Sequence, residues 1–318
     1  MSTPSYINQI IEQVNFVTDK CGAILLFGEN IDTGSRIAGL ARGLKVNPAG
    51  SIQNVGNCEL THCGVGLGML LDGGQSVLFA KQLDFMLLGL DQICNTFNYI
   101  RAYCPRETWG SFTIFVIVCD QGYQGPQSSL NSAGDFASIA NIPVYCLNAA
   151  DDAKLIVGDH FASPGFRVIC LSQRLFGASA LQAPAEWAAD DGCLFRYKSG
   201  NDATIISFNF SLRDTLDMDA KLRNAGVKSD VFHVNFIPGM DMMPIFESCK
   251  RSGKLIVVDD SKTVTKFSDA IVAELCLHGI PVKLLPMNRR GCSNDSYGAN
   301  EDRFIPDFDR ALEFCSAA

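Results

Sequence analysis

The stretch FTIFVIV at residues 112–118 is almost wholly apolar and shows no alternation of polar and apolar positions. A strand with that pattern is typically buried on both faces, as in a parallel sheet covered by helices. Similar runs alternate with helix-length amphipathic segments; the runs lie at 23–27, 76–80, 144–147 and 166–171, and the helical segments at 36–44, 58–71, 84–103, 135–140 and 151–161. The sequence therefore predicts an α/β domain built on a parallel sheet.

This rhythm breaks at 178–200, where Ala, Pro and acidic residues replace the apolar runs. Apolar runs then return at 203–208, 230–235, 254–258 and 282–285, again separated by helical segments. A chain of 318 residues also exceeds the size at which a single core usually stops growing. We therefore predict two doubly wound α/β domains, residues 1–178 and 201–318, joined by a linker at 179–200.

The composition argues against several classes of protein. A net charge of −8 and the lack of a Lys/Arg run argue against nucleic-acid binding. The most apolar segment, residues 60–71, is shorter than the about 20 residues that cross a bilayer, and the N-terminus has no signal-peptide pattern. Thirteen cysteines without a CxxC pair indicate reduced thiols, and no cysteines or histidines pair at zinc-ligand spacing. We expect a cytoplasmic protein that binds neither membrane nor metal by itself.

The segment SIQNVGNCELTHCGVGLGMLL, residues 51–71, contains one carboxylate, Glu59, at the start of a glycine-rich predicted helix. Two interpretations are open: Glu59 caps the first turn of the helix, or its carboxyl group takes part in proton transfer. The glycines at 64, 66 and 68 do not follow the GxGxxG pattern of nucleotide loops and instead predict close helix packing. His62 forms half of an E-x-x-H pair without a second half, which favours a structural histidine.

Several short segments, in one order along the chain, resemble a known family: GENI at 28–31, CE at 58–59, LDF at 83–85, LDQI at 90–93, DDAK at 151–154 and GKLIVV at 253–258. The chain resembles the beta subunit of 2-oxoacid dehydrogenase decarboxylase components, of the pyruvate and branched-chain types. More distantly, it is similar to the C-terminal half of transketolase. The resemblance implies a domain that binds the pyrimidine ring of thiamine diphosphate, followed by a transketolase C-terminal-like domain.

The resemblance also implies roles for individual residues. Glu59 corresponds to the glutamate that hydrogen-bonds the aminopyrimidine ring, and Phe85 to the aromatic residue that stacks on it. Lys81 and Gln82 fall in the loop that lines the ring, and Glu29 lies near the same pocket. A carboxyl group at the ring nitrogen favours the imino tautomer, which takes the proton from the thiazolium carbon and so prepares an electron sink.

Two departures from the family bear on partners and reaction. The sequence contains neither the Gly-Asp-Gly segment nor the paired asparagines that hold the diphosphate and Mg²⁺. The resemblance therefore implies an alpha-type partner chain with those groups, in a heterotetramer that also contains a beta dimer. Ser128 stands where the family has an active-site histidine, and a serine does not titrate near neutral pH.

These departures decide the expected activity. We expect a subunit acting on a 2-oxo (keto) substrate, with non-oxidative ketol transfer or decarboxylation favoured. Two alternatives are open: the beta subunit of a 2-oxoacid dehydrogenase that passes an acyl group to a lipoyl carrier, and a non-catalytic structural or regulatory subunit.

Overall fold

The computed structural model describes residues 4–120, 130–263, 265–288 and 304–317. The first sheet has the strand order β2-β1-β3-β4-β6-β5, and every pair in it is parallel. Its strands are β1 (Ile24–Gly28), β2 (Ser51–Asn54), β3 (Gln75–Ala80), β4 (Ser111–Val118), β5 (Val144–Leu147) and β6 (Gly165–Ser172). The chain runs from β1 to β2 on one side and then crosses to β3 on the other. This reversal opens a crevice at the carboxyl ends of β1 and β3.

Helices cover this sheet: α1 (Tyr6–Lys20), α2 (Glu59–Leu71), α3 (Phe97–Tyr103), α4 (Ala133–Ala140) and α5 (Ala150–Leu155). All eight residues of β4 are buried, as its unbroken apolar sequence predicts. α2 packs closely over this strand, because a β-carbon on Gly66 would overlap the buried ring of Phe112. That ring stacks on Phe166, with centroids 4.9 Å apart. Close packing through the helix glycines is therefore confirmed at Gly66, whereas Gly68 faces open space.

The helix predicted at 36–44 is wrong, since this segment consists of turns. Three consecutive non-glycine residues, 36–38, have left-handed φ values of 49°, 54° and 52°. Ile37, Leu40 and Ala41 of this segment are nevertheless buried. The apolar spacing therefore predicted correctly which residues are buried, but it predicted the backbone conformation wrongly. The helix predicted at 84–103 is divided into a 3₁₀ segment (Leu83–Gly89), a wide π turn (Gln92–Thr96) and α3.

The second sheet has the order β12-β11-β9-β10-β8-β7. Its strands are β7 (Trp187–Ala188), β8 (Leu194–Lys198), β9 (Ala203–Phe208), β10 (Ser229–Val234), β11 (Lys254–Asp259) and β12 (Lys283–Asn288). The last four strands are parallel, and β8 pairs antiparallel with both β10 and β7. β7 and β8 lie within the stretch predicted as a linker, which therefore contributes strands to this sheet. The accompanying helices are α6 (Leu212–Asn224), α7 (Met243–Ser252), α8 (Phe267–Leu277) and α9 (Phe308–Ser316).

The strand order of the second sheet also reverses, between β9 and β11, but polar residues fill this crevice. The buried Asp260 follows β11, and its carboxylate accepts hydrogen bonds from the Asn209 side chain (2.9 Å) and the Phe210 backbone (3.2 Å). Arg174, from the first α/β unit, forms an ion pair with the same carboxylate at 3.4 Å. Asn131, also from the first unit, donates to the Asp260 carbonyl at 3.2 Å. The second crevice thus serves as a domain contact, which leaves the first as the candidate site.

Candidate functional site

The crevice at the carboxyl ends of β1 and β3 contains a small pocket of about 20 Å³. Its apolar floor comes from the end of β3 and the 3₁₀ segment that follows. Its polar wall comes from the start of α2 and from the turn after β1. The lining residues are Glu29, Gly56, Asn57, Glu59, His62, Leu78, Phe79, Ala80, Lys81, Phe85 and Met86. Four residues that the sequence analysis assigned to this pocket therefore meet at one place: Glu29, Glu59, Lys81 and Phe85.

Glu59 is the first residue of α2 and is half-buried. The N-terminus of a helix favours a carboxylate, because the dipole places partial positive charge there. Cys58 is the N-cap residue, and its thiol lies 2.9 Å from the Thr61 hydroxyl. The Glu59 side chain lines the pocket. A group that enters the pocket would therefore meet the Glu59 carboxyl group.

Phe85 and Lys81 approach the pocket from the other side. Phe85 is half-buried within the 3₁₀ segment, and Lys81 is exposed directly after β3. Gln82 is oriented differently: its side chain is 4% exposed and hydrogen-bonds to the Cys119 thiol at the end of β4. Gln82 is therefore absent from the residues that line this pocket. Ser128 lies outside the described residues.

Asp84, which the sequence analysis did not single out, is buried next to Phe85 in the 3₁₀ segment. Its carboxylate accepts the backbone N–H of Leu130 at 3.1 Å. Burial raises the pKa of Asp84 to about 6, although hydrogen bonds and Lys262 oppose the shift. The only signal for this role in the sequence is an acidic residue inside an apolar LDF segment, and that signal does not separate an anchor from a helix cap.

On the exposed rim, Glu29 directly follows β1. The Asn57 amide, oriented with its nitrogen toward Glu29, donates to both carboxylate oxygens at 2.7 and 3.1 Å. His62 lines the same pocket, and its ring lies 6.2 Å from the Phe27 ring in an edge-to-face contact. Sequence reasoning treated His62 as structural, and the structure places it in the wall of the pocket.

The donor set fits the pyrimidine half of thiamine diphosphate. Glu59 offers a carboxyl group for a ring nitrogen, and Phe85 offers an aromatic face for a planar ring. In the parts of the chain that the structure describes, no cluster of three His, Cys, Asp or Glu side chains could hold a metal ion. In the same residues, no helix is long and apolar enough to span a membrane.

The chain is similar in sequence to known proteins. Residues 195–310 match the family model for the transketolase C-terminal domain. The beta subunit of acetoin:2,6-dichlorophenolindophenol oxidoreductase from Cupriavidus necator is 20% identical over 279 residues, covering 85% of this chain and 82% of that protein. The pyruvate dehydrogenase E1 component subunit beta from Staphylococcus aureus is 22% identical over 282 residues, covering 86% and 85%.

A solved split-gene transketolase, in the form of an inactive beta4 tetramer, superposes with a TM-score of 0.68. It is 15% identical and covers 98% of this chain and 99% of that chain, which confirms the fold class. Together these comparisons confirm the resemblance to beta subunits of the pyruvate dehydrogenase type and to transketolase.

Proposed function

We propose that this chain is the beta-type subunit of a heteromeric, thiamine diphosphate-dependent enzyme that acts on a 2-oxo (keto) substrate. The observation that carries the proposal is the meeting of Glu59 and Phe85 in one crevice at the carboxyl ends of β1 and β3. Glu59 begins α2, and Phe85 lies in the 3₁₀ segment after β3. Their meeting therefore depends on the fold and not on neighbouring positions in the sequence. Alignment with named beta subunits over most of the chain supports the same assignment.

The side chains of this chain would bind and orient the pyrimidine ring. Glu59 would share a proton with a ring nitrogen, and the helix N-terminus would stabilise its ionised form when the proton moves away. Phe85 would fix the plane of the ring by stacking. When bound, thiamine diphosphate supplies an electron sink for bond cleavage next to a carbonyl.

The diphosphate and Mg²⁺ would be held by an alpha-type partner chain. A pocket of about 20 Å³ is too small for a whole cofactor, which supports a second chain as the source of the remaining walls. The outer face of α2, defined by Leu60, Val65, Gly68 and Leu71, fits such an assembly. Its three large apolar side chains are 42–45% exposed, beside a glycine that allows close approach. We propose that this face is covered in a beta dimer within a heterotetramer.

Two reaction types compete within this proposal. Ser128 in place of a histidine favours a non-oxidative reaction, ketol transfer or decarboxylation, because the hydroxyl does not titrate near neutral pH. The names of the aligned relatives favour a 2-oxoacid dehydrogenase, in which an acyl group passes to a lipoyl carrier. Assay of the reconstituted complex on pyruvate, branched 2-oxoacids and ketose phosphates, with and without a lipoyl acceptor, separates the two.

The assignment of Glu59 is tested with Glu59→Gln in the complex with the partner chain. We expect normal folding and a loss of turnover of at least about 100-fold, since an amide cannot exchange the proton. The matched control is Glu247→Gln, which alters an exposed glutamate on α7 and should leave turnover unchanged. Near-normal activity of Glu59→Gln would refute the assignment.

A further inference from the structure

Asn131 joins the first α/β unit to the second at the crevice of the second sheet. The residue is 2% exposed. Its amide nitrogen donates to the Asp260 carbonyl at 3.2 Å, and its amide oxygen accepts from the Asn209 side chain at 2.6 Å. The backbone N–H of Lys262 donates to the Asn131 carbonyl at 2.9 Å. Three hydrogen bonds with the second unit therefore fix this one residue.

The residue before Asn131 is bonded in the opposite direction, toward the pyrimidine pocket. Leu130 donates its backbone N–H to the Asp84 carboxylate at 3.1 Å. Asp84 is 5% exposed, and its second carboxyl oxygen has no hydrogen-bond partner among the residues that the structure describes. A buried carboxylate is costly without a donor, so the Leu130 N–H holds the Asp84 side chain in place.

Asp84 directly precedes Phe85, which lines the pocket, and both belong to the same 3₁₀ segment. Lys262 acts on the same carboxylate from the second unit: burial raises the pKa of Asp84 to about 6, and the charge of Lys262 opposes that shift. Two hydrogen bonds, joined by the peptide bond between Leu130 and Asn131, thus connect the second unit with the backbone next to Phe85.

We propose that Asn131 is a positioning residue through which the second α/β unit sets the location of Phe85, and with it the affinity for the pyrimidine ring. This rests on the proposed stacking role of Phe85. Loss of the Asn131 side chain loosens Leu130, and Asp84 and the 3₁₀ segment then gain freedom. The cofactor must order Phe85 when it binds, which weakens binding. The second unit thus acts on the pocket from a distance, since the residues that line it all come from the first unit.

The first test is hydrogen–deuterium exchange of the full-length chain, measured by mass spectrometry. We expect Asn131→Ala to speed the exchange of residues 83–89 by at least about threefold and to leave β6 unchanged. The matched control is Asn235→Ala. Asn235 is also a buried asparagine that connects the units, but the hydrogen bonds of its side chain end at Cys146 and Gly192. Unchanged exchange of residues 83–89 in Asn131→Ala, or an equal increase in Asn235→Ala, would overturn the inference.

Two variants of Asp84 test the other end of this connection. Asp84→Ala removes the acceptor of the Leu130 N–H and should speed the exchange of residues 83–89 as Asn131→Ala does. Asp84→Asn keeps an acceptor oxygen and should restore most of the protection. Equal exchange in the two variants would show that the hydrogen bond does not fix the segment, which contradicts the proposal.

The last test measures thiamine diphosphate binding to the reconstituted complex by calorimetry. Asn131→Ala should weaken binding by no more than Phe85→Ala does, about fivefold, whereas Asn235→Ala should stay within about twofold of wild type. Adding Asn131→Ala to Phe85→Ala should weaken binding no further, because Asn131 acts through Phe85. Additive losses would refute this route. If Phe85→Ala leaves the affinity unchanged while the exchange result holds, the proposed role of Phe85 fails and the connection between the units stands.

Discussion

Two alanine substitutions in the same helix should change stability in opposite directions. At Gly66 a β-carbon would overlap the Phe112 ring, which is fully buried and stacked on Phe166, so neither ring can move aside cheaply. Overpacking of this kind costs about 1–3 kcal/mol. At Gly68, which is exposed, nothing lies within 4 Å of an added β-carbon. Removing backbone freedom there should stabilise the helix by about 0.5–1 kcal/mol.

The assay is urea unfolding followed by circular dichroism, because the midpoint shift multiplied by the slope gives the change in free energy of unfolding. We expect the Gly66→Ala midpoint below wild type and the Gly68→Ala midpoint above it. Gly68 lies on the outer face of α2, so the comparison is made at two protein concentrations to separate folding from association. A Gly66→Ala midpoint at or above that of wild type would refute the packing argument.

Three further outcomes follow from the site and the fold. Phe85→Ala should weaken thiamine diphosphate binding to the reconstituted complex by about fivefold, or about 1 kcal/mol, in calorimetry, and an unchanged affinity would exclude stacking. Val65→Arg should dissociate the beta dimer in light scattering, whereas Leu277→Arg, at an exposed site on α8, should not. If the Val65→Arg variant remained dimeric, the outer face of α2 would be excluded as the dimer interface. Burial lowers the pKa of His233 to about 4, below its unfolded value of 6.5, so the stability that it contributes should be lost as the pH falls from 6.5 toward 4. His233→Gln should flatten the dependence of the unfolding midpoint on pH in this window, and His278→Gln should not.

The success of the strand predictions has a simple physical origin. β4, β5 and β9 are buried along their whole length, and complete burial produces the unbroken apolar runs that the sequence shows. β2 was not predicted, because it is a four-residue strand at the sheet edge, only partly buried, with the polar sequence SIQN. An apolar run in the sequence indicates a buried strand, and a strand that is not buried has no such run.

The site was less predictable than the fold. Glu59 was identifiable because it is the only carboxylate in a long apolar segment, and family resemblance supplied its role. Family resemblance placed Gln82 in the loop that lines the ring, together with Lys81. Successive residues of an extended backbone face opposite ways, and the Gln82 side chain hydrogen-bonds to Cys119. Spacing alone could not predict that His62 and Glu29 line the same pocket, because this depends on the meeting of α2 with the end of β1.

The filled crevice of the second sheet limits how this protein can be divided. The Arg174 guanidinium bridges the buried carboxylates of Asp120 and Asp260, at 3.7 and 3.4 Å, and donates to the Phe210 carbonyl at 2.9 Å. Separating the two halves near residue 200 would leave the Asp260 carboxylate without Arg174, whereas the Arg174–Asp120 pair would stay within the first half. Breaking a buried pair in this way costs about 3–5 kcal/mol. We therefore expect that neither half folds stably by itself. A gene fragment that encodes only one half should yield an insoluble product. Recombination would have to exchange the two halves together.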